Sequence, residues 1–218
     1  MKKQYKAIDK RLITEGSTVD FNLFLTNETK TAMTLFIQSD SAVDSNTKVK
    51  LREIEMLYIS EEEEERYNNY IKQHLQSIVK NNALTIEEKA ILIYAKATES
   101  IDLMFKNPES LENVKSAQGI VTSFIELILN DTSAVESLMK ITAHDYYTHT
   151  HSINVSVYTL SLGSFLCIKD KDLETLGMAA ILHDLGKSKI NYSIINKNGK
   201  LTEFEFNQMK NHPSLGYA

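Results

Sequence analysis

His183 and Asp184 stand side by side behind five small or apolar residues, Met178 to Leu182, in the stretch GMAAILHDLGKSK. An ionised carboxylate taken out of water without a partner is costly, and such groups are normally paired, hydrogen-bonded or bound to metal. Something must therefore compensate this pair. Adjacent helical residues point about 100° apart, so the two can flank one site from neighbouring directions, and one cation, or two bridged by the carboxylate, would fit there. Lys187 lies four residues beyond His183 and on a continuing helix would share its face. A lysine beside a cation is repelled unless an anion binds both. A phosphate-bearing substrate is the natural guest, because metal and ammonium together stabilise charge on transferring phosphoryl oxygens. The span from Leu185 to Thr202 contains Lys187, Lys189, Lys197 and Lys200 and no acidic residue. Of these, Lys189 and Lys200 read as solvated surface groups.

A metal in a bundle core draws its ligands from several helices. Besides His183, the nearby histidines are His144, His149, His151 and His212. His151 opens an apolar helix facing the same core, and His212 ends TEFEFNQMKNH, a helix expected to start after the cap-like Thr202; these two join His183 and Asp184 as ligand candidates. A second His-Asp pair, His144-Asp145, lies in the polar stretch TAHDYYTHT and lacks a comparable apolar lead-in. His144 and His149 are read as surface residues or as supports for the ligands. Mixed imidazole and carboxylate donors suit Mn, Fe or Zn better than Mg or Ca, with iron or manganese favoured. Such ions lower the pKa of bound water and so make a nucleophile at neutral pH.

The elements that must hold these residues are mostly helical. The 218-residue chain has 42% hydrophobic and 24% charged residues, only two prolines and seven glycines, a balance typical of a folded globular protein with long uninterrupted helices. Its net charge of −5 gives no support to general nucleic-acid binding. No window approaches a membrane span, and the single Cys167, in an apolar run, reads as a buried thiol in a reducing compartment. A cytoplasmic protein is expected.

Residues 1–60 form a β-rich module, with FNLFL (Phe21 to Leu25) and MTLFI (Met33 to Ile37) as strands and KVKLREIEMLYI (Lys48 to Ile59) as a longer last strand with a bulge. Ser60 and Glu63 have capping-box spacing, and one helix is expected from there to Asn81, with His74 structural. A helical connecting region fills 61–140, with stops at Asn107-Pro108 and Asn130-Asp131. Residues 141–218 hold the site, on the all-round apolar run INVSVYTLSLGSFLCI (Ile153 to Ile168) and the helix ending at His183.

His183-Asp184-Leu185-Gly186-Lys187 matches the H-D-x-G-K signature of the HD phosphohydrolase superfamily. With THSINV (Thr150 to Val155) before it and INKNGKLT (Ile195 to Thr202) and MKNHPSLGYA after it, the chain resembles the HD-GYP family over about Lys140 to Ala218. The resemblance implies a mainly α HD-type helical bundle after the β-rich module. It also implies a bacterial signalling enzyme that hydrolyses cyclic di-GMP to linear pGpG or GMP. Carried over residue by residue, it makes His151, His183, Asp184 and His212 metal ligands, with Asp184 bridging and catalytic and Lys187 contacting substrate phosphate. Tyr147 stands where members with a third metal carry glutamate, so two divalent ions, Fe or Mn, are expected. Asn191 and Asn198 replace prolines usual in the family, and Asn198-Gly199 can still turn the chain.

The family's later histidine pair, last aspartate ligand and G-Y-P loop fall beyond Ala218, which implies a fragment of a longer protein or a truncated product. The alternatives are a catalytically silent signalling or adaptor module that binds the nucleotide or a protein partner, and an HD phosphohydrolase of another nucleotide. A homodimer or a regulatory partner is compatible with either.

Overall fold

The computed structural model describes residues 4–27, 32–131, 133–142 and 148–217. It divides into two compact units, Met1–Leu84 and Thr85–Ala218.

The first unit is built on a four-stranded antiparallel sheet of order β1-β6-β3-β4, from β1 (Tyr5–Ile8), β3 (Leu23–Thr26), β4 (Met33–Ile37) and β6 (Leu57–Ser60), with a small ladder of β2 (Thr18–Val19) and β5 (Ser41–Ala42). FNLFL and MTLFI thus supply the expected strands. KVKLREIEMLYI does not form one long strand: its first half is helix α1 (Ser45–Glu53), and only Leu57 onward is extended. The missed signal is Asp44, whose carboxylate accepts from the Thr47 amide at 2.7 Å and caps the helix. The long side chains of Lys48, Lys50, Arg52 and Glu53 then lose little rotamer freedom in it.

The Ser60–Glu63 capping box does not form either. Ser60 is still in β6, paired with Tyr5, and Glu63 instead accepts from the Asn22 amide at 3.1 Å and its side-chain Nδ2 at 2.8 Å. A 3-10 turn (Glu61–Glu63) leads into α2 (Glu64–Gln73), and the expected single helix breaks at His74 before α3 (Leu75–Val79). The His74 ring stacks on Tyr70 at 4.3 Å with its Nδ1 on the Tyr70 carbonyl, a structural placement. Phe21 is fully buried, edge-on to Tyr67 and Tyr70.

The second unit is a helical bundle of α4 (Ile86–Lys106), α5 (Leu111–Asn130), α6 (Ser133–Thr142), α7 (Thr148–Phe165) and α8 (Asp170–Leu182), followed by a 3-10 helix (Leu185–Lys189) and the short helices α9 (Tyr192–Ile195), α10 (Glu203–Met209) and α11 (His212–Tyr217). Ile93, Ile101, Ile120, Phe124, Val157 and Leu160 are fully buried in it, each worth roughly 1.5–3 kcal/mol of transfer free energy. Tyr94 of α4 donates to the Asn154 side chain of α7 at 2.6 Å, and Ser156 of α7 donates to the Gly177 carbonyl of α8 at 3.1 Å. At Gly177 the packing leaves no room for a side chain: an added Cβ would lie 2.7 Å from Val121 and 2.8 Å from Leu160. These contacts fix the helix that delivers His183.

Cys167 is exposed, not buried. The Cys167 amide donates to the Ser164 carbonyl and the Ile168 amide to the Gly163 carbonyl, which is the Schellman pattern closing α7. Its C′ position needs a left-handed backbone, and Cys167 supplies it with φ 61°, a conformation glycine adopts without the Cβ penalty. Cys167→Gly should therefore stabilise the protein by about 0.5–1 kcal/mol, raising the thermal midpoint by roughly 1–4 °C; an unchanged or lower midpoint in calorimetry contradicts this account of the turn.

Candidate metal and phosphate site

Asp184 is the best-shielded charged group of the site, its side chain only 4% exposed, at the junction between α8 and the following 3-10 helix. Lys187 donates to its Oδ2 at 2.6 Å. The helix does not continue past Leu182, so Lys187 reaches the carboxylate across a 3-10 turn and not from the helical face expected for it.

Three imidazoles surround the same carboxylate. The Nε2 atoms of His183 and His151 lie 3.3 and 4.0 Å from Oδ2, and that of His212 lies 3.4 Å from Oδ1. Ligand atoms of His151, His183 and Asp184 all fall within 4.8 Å of one another. All four residues singled out as ligands in the sequence therefore converge, although His212 opens α11 and does not end the preceding helix.

The other faces of two of these rings explain their aim. His183 Nδ1 lies 2.7 Å from the Ala180 carbonyl and His212 Nδ1 2.8 Å from the Met209 carbonyl. A carbonyl oxygen can only accept, so each Nδ1 carries the proton, and in the neutral ring Nε2 is left as a bare lone pair. In the neutral rings those lone pairs face carboxylate oxygens, and a cation held between them would make the contact attractive. A lysine ion pair alone would need no converging imidazoles. This donor set, with outer hydrogen bonds that fix the ring tautomers, fits a metal cation.

Both accepting carbonyls belong to the last turns of helices, Ala180 in α8 and Met209 in α10, where carbonyls lack partners within the helix. α10 itself is anchored by a capping box between Thr202 and Glu205, as Thr202 suggested. The ion pair to Lys197 and hydrogen bonds from Thr202 hold the Glu205 carboxyl down at about 2, so it stays ionised at neutral pH. The basic run from Leu185 to Thr202 is thus not left uncompensated: Lys197 meets Glu205 at 2.5 Å, and Lys189 faces Glu109 at 3.9 Å. In the loop between, Asn191 caps α9 through the Ser193 amide, and Gly199 turns with φ 112°. His144, Asp145 and Tyr147 and the side chain of His149 lie outside the described residues.

Sequence reasoning did not assign a role to Gly186. A Cβ there would sit 1.9 Å from the His212 carbonyl oxygen and 2.5 Å from the Gly216 amide nitrogen. The 3-10 helix and α11 therefore touch backbone to backbone, and this contact sets how close His212 comes to Asp184.

Residues 148–218 match the HD domain family. The cyclic di-GMP phosphodiesterase PA4108 of Pseudomonas aeruginosa is 30% identical over 129 residues, covering 58% of this chain and 31% of that protein. The 3'3'-cGAMP-specific phosphodiesterase 3 of Vibrio cholerae is 27% identical over 157 residues, covering 65% of this chain and 32% of that protein. The cyclic di-GMP phosphodiesterase response regulator RpfG of Xanthomonas campestris is 48% identical over 52 residues, covering 24% of this chain and 14% of that protein. The chain thus spans about a third or less of the length of these relatives. Among solved structures, an HDG"Y"P protein from Bdellovibrio bacteriovorus superposes with a TM-score of 0.58 at 21% identity, covering 98% of this chain and 70% of that one. This likeness shows a shared fold. No helix among the described residues is long and apolar enough to cross a membrane.

Gly186→Ala should push α11 away from Asp184, with a stability loss on the order of 1–3 kcal/mol and less Mn retained after dialysis. Gly119→Ala, which meets nothing within 4 Å, should retain Mn fully, and equal retention in both variants contradicts the spacing role. The buried aspartate and its ring of imidazoles thus lie within the stretch 148–218 that matches the HD domain family.

Proposed function

We propose that this chain carries ligands of the metal centre of an HD-GYP phosphodiesterase that hydrolyses cyclic di-GMP to pGpG or GMP. The observation that carries the proposal is the pair of Nδ1-to-carbonyl hydrogen bonds at His183 and His212, which turn two Nε2 atoms onto one buried carboxylate. His151 and His183 lie toward Oδ2 of Asp184 and His212 toward Oδ1. That division of ligands would let Asp184 hold two cations, and iron or manganese fits the mixed donors. When bound, the metal supplies Lewis-acid stabilisation of a phosphoryl group and an activated water.

The residues of the chain supply the rest. Asp184 holds negative charge where cations must gather, and its burial keeps that charge from being screened by solvent. Lys187 donates to Oδ2; with a metal held by the cluster, its ammonium would be available to a non-bridging phosphate oxygen, where it would stabilise charge developing in the transition state. His151, with its side chain 55% exposed, forms the open edge of the cluster, from which a phosphodiester can approach.

Two of the relatives described are named for cyclic di-GMP and one for 3'3'-cGAMP. The second reading is therefore a phosphodiesterase acting on that other cyclic dinucleotide, at the same site and by the same chemistry.

The experiment is to load the purified protein with Mn or Fe, measure the metal, and follow cyclic di-GMP and 3'3'-cGAMP by chromatography. Loss of cyclic di-GMP supports the first reading, and faster loss of 3'3'-cGAMP the second. With metal bound, no loss of either removes both. Asp184→Ala should lose metal and activity together, whereas Lys187→Ala should keep its metal and hydrolyse about 100-fold more slowly; full metal content in the Asp184 variant contradicts the shared-carboxylate role.

A further inference from the structure

We propose a second anion site, in the first unit, that takes the phosphate group of a small soluble molecule in the cleft between the 3-10 turn Lys10–Leu12 and α1. Lys10, Arg11, Lys48 and Arg52 line this cleft together with Leu51 and Asn81, and no carboxylate lines it. Its volume of about 140 Å³ admits a phosphate group but falls below the roughly 300–1,000 Å³ of pockets that enclose whole drug-sized ligands. A cyclic dinucleotide would not fit inside it.

The charges are held in place and largely uncompensated. Lys10 donates to the Arg52 carbonyl at 2.8 Å and to the Ile54 carbonyl, at the C-terminal end of α1. Lys48 donates to the Ile13 carbonyl. Carbonyls orient these ammonium groups without neutralising them, and each has an N–H to spare. Arg11 is the exception, since Asp9 holds it through Nε and Nη2. The guanidinium of Arg52 has no hydrogen-bond or ion-pair partner among the described residues. Partial burial, followed by the charge of Arg52, lowers the pKa of Lys48 against the opposing pull of Glu15 and Asp9. A phosphate dianion relieves the repulsion between Lys48 and Arg52 and matches the planar donor fork of Arg52.

The test is calorimetric titration of inorganic phosphate into the whole chain at constant ionic strength, with glycerol phosphate in parallel. Wild type should bind saturably, and Arg52→Gln and Lys48→Met should each bind about tenfold more weakly, as expected for loss of one charge-assisted contact. Arg52 is exposed, so its variant should keep the wild-type thermal midpoint without phosphate, which separates lost binding from lost folding. Tighter binding of the free ion or of the monoester supports the site and identifies its source. Absence of saturable binding to wild type overturns the proposal. So does binding that survives both substitutions but disappears in Lys187→Ala, because the anion would then belong to the HD site.

Discussion

The second unit is organised around one buried negative charge. Asp184 is nearly sealed from water, and a carboxylate there is tolerable only if positive charge and hydrogen-bond donors converge on it. Each convergent group comes from a different place in the chain: His151 from α7, His183 from the end of α8, Lys187 from the 3-10 helix and His212 from α11. The fold can be read as the means of bringing these four to one point. Tight packing at Gly177 fixes α8 against α5 and α7, and the backbone contact at Gly186 fixes α11 against the turn. Neither glycine carries chemistry, yet both set distances that the chemistry requires.

The site was legible in the sequence because its residue types are improbable where they occur. A His-Asp pair after an apolar run must be explained, and the explanation led to His151 and His212. Gly186 was passed over because its importance arises from a residue 26 positions away in sequence (212 − 186), and nothing local reveals that approach. Lys187 was placed on the correct site by the wrong geometry, since α8 ends at Leu182 with no glycine or proline at that point to signal it.

In the first unit the strongly β-patterned segments were legible and the mixed one was not. KVKLREIEMLYI alternates as a strand would, but the single hydrogen bond from Thr47 to Asp44 and the helix-tolerant lysines and arginine outweigh that alternation. Capping spacing proved equally ambiguous: Thr202–Glu205 forms the reciprocal pair, whereas Ser60–Glu63 does not, because Ser60 is already committed to a sheet partner. Cys167 misled for a related reason. Its apolar neighbours suggested the core, but a helix has to end somewhere, and the residue at that end takes a left-handed backbone facing water.

The imidazoles of His183 and His212 each close an unfinished helix end with one nitrogen while aiming the other at Asp184. Rotating either ring out of the site must break the bond that terminates α8 or α10. The aim of each ring and the integrity of that helix end are consequently coupled, so a terminal turn that frays also lets its imidazole swing away from the carboxylate.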